Sequence, residues 1–173
     1  MLDKTLTLNV GDPTNEETDI SSMIDIENAV RVEKWVEEAV FYGAKVLCGG
    51  KRTGTFYEPT LITNTKPEMK ICSCEIFGPV VIVEKYYNFY EAIEQINNTE
   101  YGLQAGVFTN DIKQMNEAFN YIEAGGVIIN DVPTFRVDNM PYGGIKNSGF
   151  GREGVKYAIY DMLEPKLLVK NIL

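Results

Sequence analysis

From about Ile26 to Tyr42 apolar residues recur at helical spacing, with Ala29, Val32, Val36, Ala39 and Val40 on one face. Glu27, Arg31, Glu33, Lys34, Glu37 and Glu38 form the opposite, solvated side, Asp25 caps the start and Gly43 stops the end in a left-handed conformation. Before this helix the polar run Gly11–Asp19, with its Gly and Pro, reads as loop. After it, Lys45–Cys48 reads as a short buried strand closed by Gly49 and Gly50, and Phe56–Thr63 as a second extended segment following a Thr53-Gly54 turn. The pattern then alternates regularly. A strand over Val80–Tyr86 precedes a helix capped by Asn88, with Glu91 placed to reach back. A strand over Ala105–Thr109 precedes a helix with Ile112, Met115, Ala118, Phe119 and Ile122 on one side, and Gly125 leads into a strand over Gly126–Asn130. A last helix runs from Glu153 through Met162, and Lys166–Leu173 is a β-prone tail.

Strands alternating with helices predict an α/β fold with a mostly parallel sheet flanked by helices and right-handed crossovers. In such sheets ligands bind beyond the carboxyl ends of the strands, which directs attention to the segment after Asn130. A length of 173 residues with 45% hydrophobic content suits one domain.

Charge and residue usage narrow the chemistry. A net charge of −9 without any Lys/Arg block argues against a nucleic-acid surface. No run of 18 apolar residues occurs, which gives no expectation of a membrane partner, and the start Met1-Leu-Asp-Lys lacks signal-peptide character, so a cytoplasmic location is expected. Three cysteines, Cys48, Cys72 and Cys74, form no paired framework and suit a reducing compartment. There is no histidine, so Ser-His-Asp and Cys-His arrangements are excluded within the chain, and no metal site is expected. Cys72-Ser-Cys74 has the wrong spacing for a CxxC motif.

Gly149-Phe-Gly151-Arg-Glu-Gly154 matches GxGxxG letter for letter, yet it lacks both the strand before its first glycine and the acid about 20 residues later that the dinucleotide fingerprint needs. A Walker loop fails too, because Gly149 is followed by Phe150. The glycines instead give the backbone between Pro141 and Gly151 freedom to fold tightly over a neighbour.

Taken in order, Gly11-Asp-Pro, Gly43-Ala-Lys-Val-Leu-Cys-Gly-Gly50, Phe56-Tyr-Glu-Pro-Thr60, Glu75-Ile-Phe-Gly-Pro-Val80, Tyr101-Gly-Leu with Gly106-Val-Phe-Thr109, Gly125-Gly-Val with Asn130, and Pro141-Tyr-Gly-Gly-x-Lys-x-Ser-Gly-x-Gly-Arg-Glu153 resemble the C-terminal part of the catalytic domain of the NAD(P)-dependent aldehyde dehydrogenase superfamily. The resemblance covers nearly the whole chain and about a third of a full family member. It implies a partial catalytic domain over 1–165 and a C-terminal oligomerisation strand over 166–173.

The same resemblance implies roles. Glu75 matches the acid that accepts hydrogen bonds from the nicotinamide ribose, a charge-assisted contact of roughly 1.5–3 kcal/mol, and Phe77 the aromatic beside the nicotinamide of NAD or NADP. Phe135, Arg136 and Tyr142 fall where the family builds the aldehyde entrance, and Arg136 could pair with a carboxylate or phosphate on lactaldehyde-like or glyceraldehyde-phosphate-like substrates. On the residues alone, Glu75 also reads as an exposed loop acid, Phe135 and Tyr142 as core aromatics, and Arg136 as an ordinary salt bridge. In the family the nucleophilic cysteine, the general-base glutamate and the nucleotide-binding domain all precede the Gly-Asp-Pro segment. No residue of this chain is therefore expected to be catalytic. Losing a covalent nucleophile costs on the order of 10⁶ in turnover, so the chain alone is expected to be inactive. The expected activity is that of a fragment, completed by an N-terminal aldehyde dehydrogenase part or within a homo-oligomer. In it a small aldehyde is oxidised to the acid through a thiohemiacetal. The rival expectation is a noncatalytic oligomerisation or assembly module.

Overall fold

The structure is a computed structural model and describes residues 1–172. The chain gathers into two compact units, Met1–Lys85 and Tyr86–Leu173, where its length suggested one.

The first unit contains α1 (Leu2–Leu6), α2 (Ile26–Phe41), β1 (Lys45–Cys48), β2 (Arg52–Thr53), β3 (Phe56–Tyr57), β4 (Thr60–Thr63), α3 (Lys70–Ser73) and β5 (Val80–Ile82). The Asp25 carboxylate accepts from Asn28 N at 2.7 Å, satisfying one of the orphan donors at the start of α2. Gly43, at φ +106°, turns the chain into β1. Ala29, Val32, Val36 and Ala39 are buried as the periodicity predicts, whereas Val40 is exposed. The buried α2 stripe packs with Tyr57, Ile62, Met69 and Ile71 to form the core of this unit.

The second unit contains α4 (Phe89–Asn97), β6 (Tyr101–Gly102), β7 (Gln104–Val107), α5 (Ile112–Tyr121), β8 (Gly126–Ile129), β9 (Ile145–Lys146) and α6 (Val155–Met162). Asn88 caps α4 by accepting from Glu91 N, and Glu91 Oε2 reaches back to Tyr87 N at 2.9 Å. Ile93, Ala105, Val107, Ala118 and Ile122 form a separate core. On α5 the predicted apolar face narrows. Ala118 is buried, but Ile112 and Phe119 are about three-quarters exposed (74% and 75%).

The expected mostly parallel sheet is corrected, among the described residues, to four small sheets in which parallel and antiparallel pairings both occur. Pairing is parallel for β4 with β5 and for β7 with β8, and antiparallel for β1 with β4, β2 with β3 and β6 with β9. Connectivity explains the split: α3 lies between β4 and β5, and α5 between β7 and β8, as a parallel crossover requires. Between β1 and β4 the chain instead makes only the β2–β3 hairpin, so β4 returns antiparallel. The predicted strands over Val80–Tyr86 and Phe56–Thr63 are also shorter than expected. No strand forms over 163–172 among the described residues, and Leu173 of the predicted tail strand lies outside them.

Candidate functional site

Glu75, Ile76, Phe77, Gly78 and Pro79 link α3 to β5 in the first unit, held from several sides. Arg31 Nη2 on α2 donates to Ile76 O at 2.8 Å. A Cβ on Gly78 would come within 2.9 Å of Val32 Cγ2, so the absence of a side chain lets the loop lie directly on α2. Pro79 O accepts from Thr60 N at 2.8 Å, tying the end of the loop to the central strand. Between these anchors Phe77 sits at φ +42°, a region that costs a bulky L residue on the order of 1–3 kcal/mol. Its ring is 73% exposed, and the exposed Glu75 makes no hydrogen bond or ion pair among the described residues. A strained, clamped loop thus presents a free carboxylate and a bare flat ring.

In the second unit, the segment from Pro141 to Glu153 is fastened largely through main-chain groups. Lys146, at φ +54°, donates from Nζ to Asn97 O at 2.9 Å and pairs with Glu123 at 2.7 Å. Ser148 Oγ accepts from Gly102 N at 2.9 Å, and Arg152 Nη1 donates to Gly144 O at 3.0 Å. A Cβ on Gly125 would collide with the Gly143 carbonyl, so the chains touch backbone to backbone there. Tyr142 and Glu153 exchange main-chain hydrogen bonds, which brings their side chains beside Arg136. The Arg136 guanidinium lies 4.5 Å from the centre of the Tyr142 ring and donates from Nη2 to Glu153 Oε2 at 2.9 Å. The exposed Phe135 turns its carbonyl to Gln104 Nε2 at 3.2 Å. Arg136, Tyr142 and Glu153 therefore form one cluster adjoining Phe135, while Glu75 and Phe77 share the loop of the other unit.

The three cysteines are free thiols. Cys72 is half-buried within α3, and burial pushes its thiol up, which keeps it protonated at neutral pH. Cys74 caps the end of α3 and is exposed, and Cys48 ends β1. Among the described residues no group of three or more metal-ligating side chains forms, and no helix is long and apolar enough to cross a membrane.

A family model described as the aldehyde dehydrogenase family matches residues 1–168. The chain belongs to the aldehyde dehydrogenase family. It is 51% identical over 170 residues to a 3-sulfolactaldehyde dehydrogenase of Priestia aryabhattai, covering 98% of this chain and 36% of that protein. Its fold superposes with a TM-score of 0.94 at 50% identity on aldehyde dehydrogenase 21 from Physcomitrella patens, solved with its reaction product succinate, covering 98% of this chain and 35% of that one. The TM-score is 0.88 at 45% identity for the glyceraldehyde-3-phosphate dehydrogenase GapN of Methanocaldococcus jannaschii complexed with NADP, covering 93% of this chain and 35% of that one. The chain thus spans about a third of the length of the aldehyde dehydrogenases it matches, within the α/β fold of that family.

Two fasteners leave no signal in the sequence pattern. Periodicity places Arg31 on the solvated face of α2, and it instead holds the Glu75–Pro79 loop. Lys146 clamps α4 to the Gly-rich segment. Both act on carbonyls more than 40 residues away, which leave no mark in local patterning.

Proposed function

We propose that this chain supplies cofactor and substrate contacts of an NAD(P)-dependent aldehyde dehydrogenase, with Glu75 and Phe77 facing the dinucleotide and Phe135, Arg136 and Tyr142 facing a small aldehyde. The observation that carries this reading is the clamped loop, which turns an unpaired carboxylate and a bare ring outward at a cost in backbone strain. That donor set fits a nicotinamide nucleoside: a carboxylate is the natural acceptor for a vicinal diol, and a phenyl face shelters a heteroaromatic ring without competing for charge. A bound dinucleotide would supply the hydride acceptor for oxidation of the aldehyde to its acid. Glu75 would hold its ribose, and Phe77 would shelter one face of its ring from water.

Arg136 uses one of its five N–H groups on Glu153, and the rest are free to meet an anion. Tyr142 covers one face of the guanidinium and keeps it partly dry. These features suit a short aldehyde carrying a carboxylate, sulfonate or phosphate, the chemistry named for the relatives acting on 3-sulfolactaldehyde or holding succinate. None of the three cysteines has the setting of an activated nucleophile, so the chain alone is inactive and the reactive sulfur comes from another stretch of protein, in a cytoplasmic, reducing setting. In the assembled dehydrogenase, Glu75→Gln raises the dinucleotide Kd about tenfold by fluorescence titration. An unchanged Kd refutes the assignment.

A second reading, an oligomerisation module, is favoured by one observation. Leu167, Leu168 and Val169 are exposed in a tail that, among the described residues, has no strand partner, ready to add to the sheet edge of another copy. Removal of residues 166–173 then lowers the oligomeric mass seen by light scattering, and an unchanged mass refutes it.

A further inference from the structure

β7 and β8 pair in parallel with Gln104 opposite Gly126 and Gly106 opposite Ile128. Ala105 and Val107 turn into the core of the second unit, so Gln104 and Gly106 turn to the other face of the strand. On that face a Cβ on Gly106 would come within 2.7 Å of Asp131 O and 3.1 Å of Pro133 Cδ, so the segment that follows β8 lies directly on β7 there. Two residues earlier, Gln104 reaches across β8. A Cβ on Gly126 would lie 3.3 Å from its Nε2 and 3.4 Å from its Cγ, which means the Gln104 side chain passes over a bare glycine. Its Nε2 then donates to Phe135 O at 3.2 Å. Among the described residues, no other hydrogen bond ties the main chain of 132–137 to a strand or helix. Its remaining bonds, such as Phe135 N to Val132 O at 3.1 Å and Val137 N to Met140 Sδ at 3.4 Å, stay within the loop.

The carbonyl that Gln104 grips belongs to the peptide joining Phe135 to Arg136, so the grip fixes the plane from which the Arg136 side chain departs. That side chain has two holds of its own, the Tyr142 ring and the Glu153 carboxylate. The ion pair is exposed at both ends, so it gives way when a second anion competes for the guanidinium. The hold on the main chain does not compete with the ligand. An amide suits this task, because a Lys or Arg in its place would itself attract the anion and a carboxylate would repel it. We propose that Gln104 is a positioning residue for anionic aldehydes. It keeps the Phe135–Arg136 peptide in place while the guanidinium exchanges Glu153 for the anionic group of the substrate, and Gly126 is the clearance its reach requires. Gln104 touches no substrate atom and acts through the main chain of the loop. This proposal rests on the reading of Arg136 as the anion contact, so its experiment separates the two.

Two variants are used, Gln104→Met, which keeps the length of the side chain but removes its donor, and Gly126→Ala, which keeps the donor and pushes it off its path. On the chain itself, chymotrypsin cleavage after Phe135, identified by fragment mass, reports release of the segment, and cleavage after the 92% exposed Tyr87 serves as the internal control. Expected is about fivefold faster cleavage after Phe135 in Gln104→Met, the loss of one neutral hydrogen bond, and a smaller rise in Gly126→Ala. Cleavage after Tyr87 keeps its rate in both. In the dehydrogenase completed by a protein part that carries a reactive cysteine, Gln104→Met raises KM for glyceraldehyde 3-phosphate about fivefold, while KM for propanal and for the dinucleotide changes less than about twofold, a split that general loss of structure does not produce. Arg136→Leu is measured alongside. Should Arg136→Leu leave KM for glyceraldehyde 3-phosphate unchanged, the anion reading fails, and the proteolysis still decides whether Gln104 holds the segment. Should Arg136→Leu raise that KM while Gln104→Met leaves it at the wild-type value, or should cleavage after Phe135 stay at the wild-type rate in both variants, the proposal is overturned.

Discussion

Gly78→Ala isolates the contact on which the candidate cofactor loop rests. The new Cβ would lie 2.9 Å from Val32 Cγ2, 3.4 Å from Cγ1 and 3.6 Å from Met23 Cε. Val32 is fully buried and β-branched, so in mid-helix it has no second rotamer to retreat to. The loop cannot simply lift, since Thr60 N holds Pro79 O one residue later. Overpacking of this kind costs about 1–3 kcal/mol. Val32→Ala alone removes two buried methyl groups, about 1.6 kcal/mol of transfer energy, with a cavity cost that takes it to about 2 kcal/mol. In the double variant the new methyl occupies part of the space vacated by Val32, so the two costs do not add, and a coupling of about 1–2 kcal/mol is expected. Urea unfolding followed by Trp35 fluorescence measures it on the same helix, one turn from Val32. Additivity within about 0.5 kcal/mol would refute the contact.

The buried hydroxyl of Tyr57 and the acid limb of stability give two further tests. Tyr57 is 1% exposed and its hydroxyl has no hydrogen-bond partner among the described residues, while burial, with Glu33 and Glu37 adding to it, pushes its pKa up to about 12. Tyr57→Phe is therefore expected to leave stability unchanged or raise it by up to about 1 kcal/mol, and a loss above about 1 kcal/mol in urea unfolding would mean the hydroxyl is bonded, for instance to Thr60. Hydrogen bonds from Asn28 hold the Asp25 carboxyl below its ordinary 3.8, so its capping contribution is complete above pH 3.8 and fades as pH falls through the lower folded value. Asp25→Asn caps without titrating, so acid titration of Trp35 fluorescence should lose part of its transition in that variant. An identical curve would contradict this.

Helix ends were the most legible features. Asp25 and Asn88 cap as their side-chain chemistry demands, and β1 spans the residues its apolar run marks, because both signals are local. Sheet direction was legible only in part. The alternation that predicts parallel pairing holds where α3 and α5 intervene, but the β2–β3 hairpin is only two residues per strand and too short to register as two strands in the pattern. Phe119 and Ile112 were placed in a core face by spacing, and a stripe of that width reads the same whether it meets this unit or another surface. At the candidate site, the motif residues Glu75 and Phe77 were visible, while the strain at Phe77 was not, since positive φ is the signature of glycine and nothing in Glu-Ile-Phe-Gly-Pro announces it. Arg136 was read as either an anion contact or a salt bridge. It does pair with Glu153, an exposed contact worth at most about 1 kcal/mol and weak enough to be exchanged for a substrate anion.

Reduced-dinucleotide formation, followed by absorbance after an aldehyde carrying an anionic group is added, is the most direct test of the proposed activity. Expected are no signal from this chain alone, a signal when the chain is combined with a protein part that carries a reactive cysteine, and a signal about tenfold slower with Glu75→Ala at limiting dinucleotide. Reduced dinucleotide formed by the chain alone, persisting after Cys48, Cys72 and Cys74 are all replaced by serine, would contradict this reading.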